Sequence, residues 1–400
     1  MSRFFRTFHT YRVVIVALAV AIAGAEARQA PAKREPASKA AAILTWPPAL
    51  REQYIVALDK FFLTRTVKAG SRPHVLDRGP SLPAFESGGA RADYLDRLMK
   101  DQRIGGVLVL HDGKVRLERY AAPDSPTTRW NSFSVSKSIT STLVGAAMKD
   151  GYIKSLDDIV TRYIKVLRGS AYDEVTVRQL LTMTSGVKWN EDYADMNSDL
   201  ARMYALPADP GYDMTTSYVR KLPREAPPGT KWVYKTSETN LVGVLVAEAT
   251  GKKLADYLSE KIWRPYGMER DAEWMIDEVG HEQGGCCLAV TLRDYGRFGQ
   301  FILDGARING VPIVADTWLP EATRSQVPPG GPAYGYQWWV RDDGTFEGRG
   351  IYGQTLHIDP KRHVVIVINS ATERPTDQAA GRARQDFIAA VKAELDSEKR

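Results

Sequence analysis

"RWNSFSVSKSITSTLVGAAMKDG", residues 129–151, sets Ser132, Ser134, Ser136 and Lys137 at the head of an apolar run that closes at Gly151. A glycine just past the last apolar position is an ordinary helix stop. In a helix, residues i and i+3 share a face, so Ser134 Oγ and Lys137 Nζ can point the same way. A serine hydroxyl is a poor nucleophile until a neighbouring base takes its proton. Lysine can be that base only if its pKa falls well below about 10.4, which burial and the positive end of a helix both promote. Backbone N–H groups left free at the helix start can also face an oxyanion. The same spacing suits a simple N-cap at Ser132 or Ser134. Ser-x-x-Lys recurs at Ser185–Lys188, where Gly186 breaks the helix. On this stretch alone, capping and catalysis both stay open.

Working outward, "IGGVLVLHDGKVRLERYA" (104–121) reads as two strands, with Asp112-Gly113 supplying the positive φ of a tight hairpin. Beyond Ser136 the patterns are helical. "TVRQLLTMTSG" has Thr176 as N-cap and stops by Gly186, and "TNLVGVLVAEATG" aligns Leu241, Val244, Leu245 and Ala249. Residues 291–305, "TLRDYGRFGQFILDG", are again amphipathic. Strands return as "YGYQWWV", "GIYGQTLHID" and "HVVIVINS", and a helix with Phe387, Ile388 and Val391 on one face closes the chain. Trp338 and Trp339 on one strand must face opposite ways, one of them into the core. Strands from both chain ends with short turns imply an antiparallel sheet covered by helices. The fold class is α+β, with a largely helical insertion over about 150–290.

Hydrophobic residues make up 44% of the 400, enough to bury one large core or two coupled ones. Arg3, Arg6 and Arg12 precede the apolar run Val13–Ala25, and Ala25-Glu26-Ala27 offers a small-x-small cleavage site. Residues 1–27 therefore read as an export signal, too short in its apolar part for the roughly 20 residues of a membrane span. The expected product is periplasmic or secreted, with no stable span once the signal is removed. Residues 28–41, "RQAPAKREPASKAA", read as a flexible tether, and 42–400 as the working domain. The net charge of +6 falls to +4 without the signal and is scattered, which argues against nucleic acid as a partner. Six histidines show no ligand spacing, so neither a metal nor another cofactor is expected. His357 and Asp359 share a strand face and read as surface polar residues. Cys286 and Cys287 are adjacent, where bridging is rare because the ring is strained, and are expected to be buried thiols. Oligomeric state is not legible.

The Ser-x-x-Lys has company. "SVSKSITS", "VTVRQLLTMTSGV", "PPGTKWVYKTSETNLVGVLVAEATGK", "IWRPYGMERDAEW", "TLRDYGRFGQF", "YGYQWWV" and "GIYGQTLHIDP" follow in an order that resembles the serine β-lactamase and penicillin-binding-protein superfamily. The pattern is most similar to its esterase and 6-aminohexanoate-oligomer hydrolase branch. The resemblance implies Ser134 as nucleophile, Lys137 as base, and Tyr234 as the proton relay to the leaving group. It implies oxyanion N–H groups at Ser134 and Gln354. Substrate contacts are implied at Tyr193 and along Ile351-Tyr352-Gly353. Two departures stand out. Thr236 replaces the asparagine of the second motif, and Ile351 the lysine of the third. An isoleucine cannot hold a substrate carboxylate; Arg349, two residues earlier, could restore the charge only if it shares that face. The implied function is hydrolysis of small-molecule esters or amides. A β-lactamase or D-alanyl-D-alanine carboxypeptidase is the alternative, and a non-catalytic binding protein on the same fold the alternative of another class. The chain contains no Gly-x-Ser-x-Gly elbow of an α/β-hydrolase.

Overall fold

The computed structural model describes residues 33–398; the expected signal at 1–27 and the first part of the tether lie outside them. Among the described residues the strands are, in order, β1 (Thr64–Val67), β2 (Ile104–His111), β3 (Lys114–Tyr120), β4 (Arg129–Asn131), β5 (Ala272–Met275), β6 (Leu288–Thr291), β7 (Arg307–Ile308), β8 (Val311–Pro312), β9 (Trp339–Val340), β10 (Phe346–Arg349), β11 (Thr355–Asp359) and β12 (Val364–Ser370). The larger sheet runs β3-β2-β12-β11-β10-β9, with every neighbouring pair antiparallel. Strands from both chain ends thus meet in one α+β sheet, as the sequence pattern implies. Asp112 (φ 50°) and Gly113 (φ 73°) make the β2–β3 turn left-handed, which matches the twist of the flanking strands.

Alternation along β2 decides which helix covers which face. Val107 and Val109 cluster with Phe387, Ile388 and Val391 of the Gln378–Ser397 helix. Leu108 and Leu110 cluster with Phe298 and Phe301 of the Leu292–Leu303 helix and with Ile139 and Leu143 of the Ser136–Lys149 helix. Both faces are therefore apolar, and the Ser136–Lys149 helix sits inside the protein rather than on it.

A second sheet, β1-β5-β6-β4, is antiparallel as well. β5 and β6 fall inside the stretch expected to be helical to about 290, because four-residue apolar runs carry no period that separates a strand from a buried helix. This sheet positions the site. β4 ends at Asn131, three residues before Ser134, and pairs with β6, which starts just after Cys287.

Three further expectations are corrected. The tether does not extend to residue 41: Glu35 N–H donates to Phe61 C=O (2.8 Å), Ala37 N–H donates to Ile276 C=O (3.0 Å), and Ala37–Thr45 is a 3-10 helix with Ala37, Ala40 and Ala41 buried. Small apolar side chains let that segment lie flat on the core. His357 and Asp359 are buried, not surface polar. His357 Nδ1 lies 2.8 Å from Glu347 Oε1, and Asp359 takes Arg362 (3.1 Å) and Lys392 (3.4 Å). The helix after Thr176 does start with a capping box to Gln179, but it spans only Val177–Leu181.

Candidate active site

β4 hands the chain to the site through a tight corner. Phe133 N–H donates to Asn131 Oδ1 (3.1 Å), Ser132 N–H to Leu288 C=O (2.8 Å), and Leu288 N–H to Ser132 Oγ (3.0 Å). These bonds hold Phe133 at φ 42°, a left-handed conformation that costs a bulky side chain roughly 1–3 kcal/mol. A short 3-10 turn, Phe133–Val135, then runs into the Ser136–Lys149 helix, and no serine side chain caps either element. The hydroxyls at this helix start are not there for capping.

Lys137 is almost fully buried, with Nζ 3.1 Å from Ser134 Oγ, 3.0 Å from Thr236 Oγ1 and 2.6 Å from Gly285 O. Gly285 can come this close because a Cβ there would lie 2.6 Å from Thr236 O. Its N–H is held by Asn240 Oδ1 at 2.8 Å. Burial pulls the Lys137 ammonium down to about 7, and the Glu191 charge opposes that fall. Glu191 is also sequestered. It accepts from Thr236 N–H (3.0 Å), from the Thr236 hydroxyl, from the Trp189 indole and from the Tyr193 phenol (3.1 Å). Burial raises its carboxyl, while Lys137 and these donors lower it. Thr236, where the resemblance leads one to expect asparagine, links the lysine to an acid. Neither Glu191 nor Gly285 stands out in the sequence. Glu191 lies two residues before Tyr193, the only residue of that loop the resemblance singles out.

Tyr234 completes the corner. Its phenol lies beside Ser134, burial raises its pKa while the Ser134 hydroxyl lowers it, and its ring centroid lies 5.1 Å from Lys137 Nζ. The ring stacks on Trp339 at 5.8 Å, while Trp338 packs on Phe346 in the core, so the tryptophan pair divides as expected. Opposite, β10 presses against the start of the Ser136–Lys149 helix. A Cβ on Gly348 would lie 3.2 Å from Val135 and Ser138 atoms, and one on Gly350 would lie 2.6 Å from Ser132 O. Ile351, Gly353 and Gln354 line the resulting cleft with Ser134, Tyr193 and Tyr234. Tyr352 does not. Its φ of 61° turns the side chain into the core, where Phe133 (5.2 Å) and the Arg51 guanidinium (4.4 Å) pack on the ring. The expected substrate contact at Tyr352 is therefore withdrawn.

Two spaces meet at Ser134. The larger, about 750 Å³, is lined by Tyr234 and Trp339 and rimmed by Arg341, Arg349, Arg382 and Arg384. The smaller, about 60 Å³, is apolar and reaches back to Ala40, Ala41 and Leu44. Ser134, Tyr193 and Ile351 belong to both. Cys286 and Cys287 wall the smaller space, and they are disulfide-bonded rather than the two thiols expected. The left-handed Cys287 (φ 67°) turns the chain so that neighbouring sulfurs can meet. Among the described residues no group of acids, histidines and cysteines could hold a metal ion.

A family model described as "Beta-lactamase" matches residues 91–391. The chain is 30% identical over 328 residues to the 6-aminohexanoate-dimer hydrolase of Paenarthrobacter ureafaciens, covering 74% of this chain and 81% of that one. It is 27% identical over 212 residues to a β-lactamase of Pseudomonas fluorescens, covering 49% and 55%. Among solved structures, the Bacillus anthracis "Putative 6-aminohexanoate-dimer hydrolase" superposes with a TM-score of 0.77 at 26% identity, covering 88% of this chain and 96% of that one. EstCE1, a hydrolase with promiscuous acyltransferase activity, shares the fold at a TM-score of 0.61 and 15% identity, covering 74% and 98%.

Proposed function

The chain belongs to the β-lactamase family, and we propose that it is a serine hydrolase cleaving esters or amides of small molecules through an acyl-enzyme on Ser134. The set of partners around Lys137 Nζ carries this reading. A neutral amine has two N–H donors and one lone pair. Gly285 C=O can only accept, and Thr236 Oγ1, whose own proton goes to Glu191, accepts as well. The lone pair is left for the Ser134 hydroxyl. With the ammonium lowered to about 7, a large fraction of the lysine is neutral at neutral pH and able to act as base.

Ser134 Oγ then bonds to the substrate carbonyl carbon as its proton passes to Lys137. The carbonyl oxygen becomes an oxyanion facing the Ser134 and Gln354 N–H groups. Tyr234 gives its proton to the departing oxygen or nitrogen as that bond breaks, and regains one from Lys137. Water repeats the sequence on the acyl-enzyme and releases the acid.

Ester or amide hydrolysis is favoured over β-lactam chemistry by the third motif. Ile351 offers no cation, and Arg349 is already committed, its Nε 2.6 Å from the buried Glu347 carboxylate and its guanidinium over Trp339 at 5.3 Å. A relative named for the 6-aminohexanoate dimer and a neighbour with acyltransferase activity both fit an acyl-enzyme route. Export, resting on residues 1–27, belongs to the same proposal and is checked by the N-terminus of the mature protein. The direct test is a fluorophosphonate probe with peptide mapping. Stoichiometric label on Ser134 is expected; label on Ser136, Ser138 or Ser185 with Ser134 unmodified overturns the assignment.

A further inference from the structure

We propose that the substrate's acyl group occupies the narrow apolar space behind Ser134, and that the N-terminal segment Ala40–Leu44 restricts it to short, uncharged acids. This rests on the acyl-enzyme reading and adds the direction in which the substrate lies. A leaving-group acid must stand beside the atom it protonates. Tyr234 lines the larger cleft and not the smaller space, so the alcohol or amine departs on the cleft side. The acyl chain is left with the other exit from Ser134.

That exit is short. Its volume is about 60 Å³, against about 750 Å³ for the cleft on the other side of Ser134. Its walls are Leu200, Ala201 and Tyr204 on one side, the Cys286–Cys287 pair on another, and Ala40, Ala41, Ile43 and Leu44 at the back. The back wall is tied down: Ala41 N–H donates to Tyr204 C=O (3.3 Å) and Ala37 N–H to Ile276 C=O (3.0 Å). The alanines there are what leave space at all. The lining contains hydroxyls and phenols but no carboxylate or ammonium group. A charged chain end placed there would lose its hydration without gaining a counter-ion. The slot therefore suits a butyryl- or hexanoyl-sized chain and disfavours an acyl group ending in an ammonium, which a 6-aminohexanoyl group would carry.

The test keeps the leaving group constant on the full-length mature protein. p-Nitrophenyl acetate, butyrate, hexanoate, octanoate and dodecanoate report chain length, and hexanoyl against 6-aminohexanoyl p-nitroanilide reports charge. We expect kcat/KM to peak at butyrate or hexanoate and to fall at least tenfold by dodecanoate. The 6-aminohexanoyl anilide should be at least tenfold slower than its hexanoyl partner. Ala41→Leu should move the peak toward acetate and Leu44→Ala toward octanoate, each variant first shown to be folded by circular dichroism and labelled at Ser134. A rate that is flat or rising to dodecanoate, a preference for the aminohexanoyl anilide, or an unmoved peak in both labelled variants overturns the inference while leaving the acyl-enzyme intact. No ester hydrolysis at all, with Ser134 unlabelled, removes the acyl-enzyme reading and this inference together.

Discussion

Among the described residues, two buried corners each hold a serine, a lysine and a glutamate, and the two are wired differently. In the first, Ser134 and Glu191 never meet; Lys137 stands between the serine and Thr236, and Thr236 stands between the lysine and the acid. In the second, Ser185 donates to Glu238 directly, and Lys235 Nζ faces the same carboxylate at 3.5 Å, with both side chains almost fully buried. The chemistry of the types is identical, but the wiring differs. A threonine inserted between lysine and carboxylate leaves the amine among neutral oxygens with a lone pair to offer. Direct contact with a carboxylate rewards the ammonium instead, and the serine's proton is already spent on the acid. Burial of a lysine beside a serine does not by itself make a base.

The comparison predicts opposite failures. Lys137→Ala should abolish acylation, at least 10³-fold, without unfolding the protein, and Lys137→Arg should not rescue it because a guanidinium stays protonated. Burst-phase release of p-nitrophenol from an activated ester measures both. Lys235→Met should do the reverse. Ser134 labelling persists, while the stranded Glu238 costs about 3–5 kcal/mol of stability, read as a lowered midpoint in urea. Adding Glu238→Gln to that variant should recover most of the loss, since it is the unpaired buried charge that is expensive. A Lys235→Met protein that keeps its midpoint but cannot be labelled would erase the distinction between the two corners.

What could be read from the sequence follows the range of the interactions involved. Ser134 and Lys137 are legible because i, i+3 geometry is local, and the β2–β3 hairpin because Asp112-Gly113 fixes its own turn. Tyr234 is legible only through the order of several stretches. Glu191 is one acid among Asp192 and Asp195 in a loop, and nothing short of the tertiary fold brings it to Thr236. The place of Tyr352 is not legible, because it turns on one backbone angle: at φ 61° its side chain leaves the side that an extended strand residue would give it. The run at 37–41 looks like a tether because it is rich in alanine, and alanine is also what lets it form a thin wall near Ser134.

A smaller effect separates Tyr234 from Lys137 within the first corner. Tyr234→Phe removes the phenol and keeps the ring on Trp339, so packing is preserved. On a p-nitrophenyl ester the leaving group departs without a proton, and a residual rate is expected, reduced about tenfold to a hundredfold. On the matched anilide the departing amine needs that proton, and the loss should be at least tenfold greater. Equal losses on ester and amide would assign the donor to another group.

The smallest effect is the most pointed, because it asks whether Glu191 acts on Lys137 through space and through Thr236. Glu191 holds the lysine's pKa up against burial, so removing its charge lowers that pKa further. A base is active when deprotonated, so wild-type kcat/KM should rise with pH through about 7 and level above it. In Glu191→Gln the rising limb should move to lower pH. The glutamine also serves fewer of the four donors that the carboxylate accepts, from Thr236 N–H, the Thr236 hydroxyl, Trp189 and Tyr193. That mismatch costs about 1–3 kcal/mol of stability and lowers the plateau by less than tenfold. The two consequences have different signatures. Lost hydrogen bonds scale the whole profile down, whereas a lost charge changes its shape, so the ratio of variant to wild-type rate should climb as pH falls from 8 to 6. A ratio independent of pH would make Glu191 a scaffold for Thr236 and Tyr193, and the wiring that distinguishes the two corners would then reside in Thr236 alone.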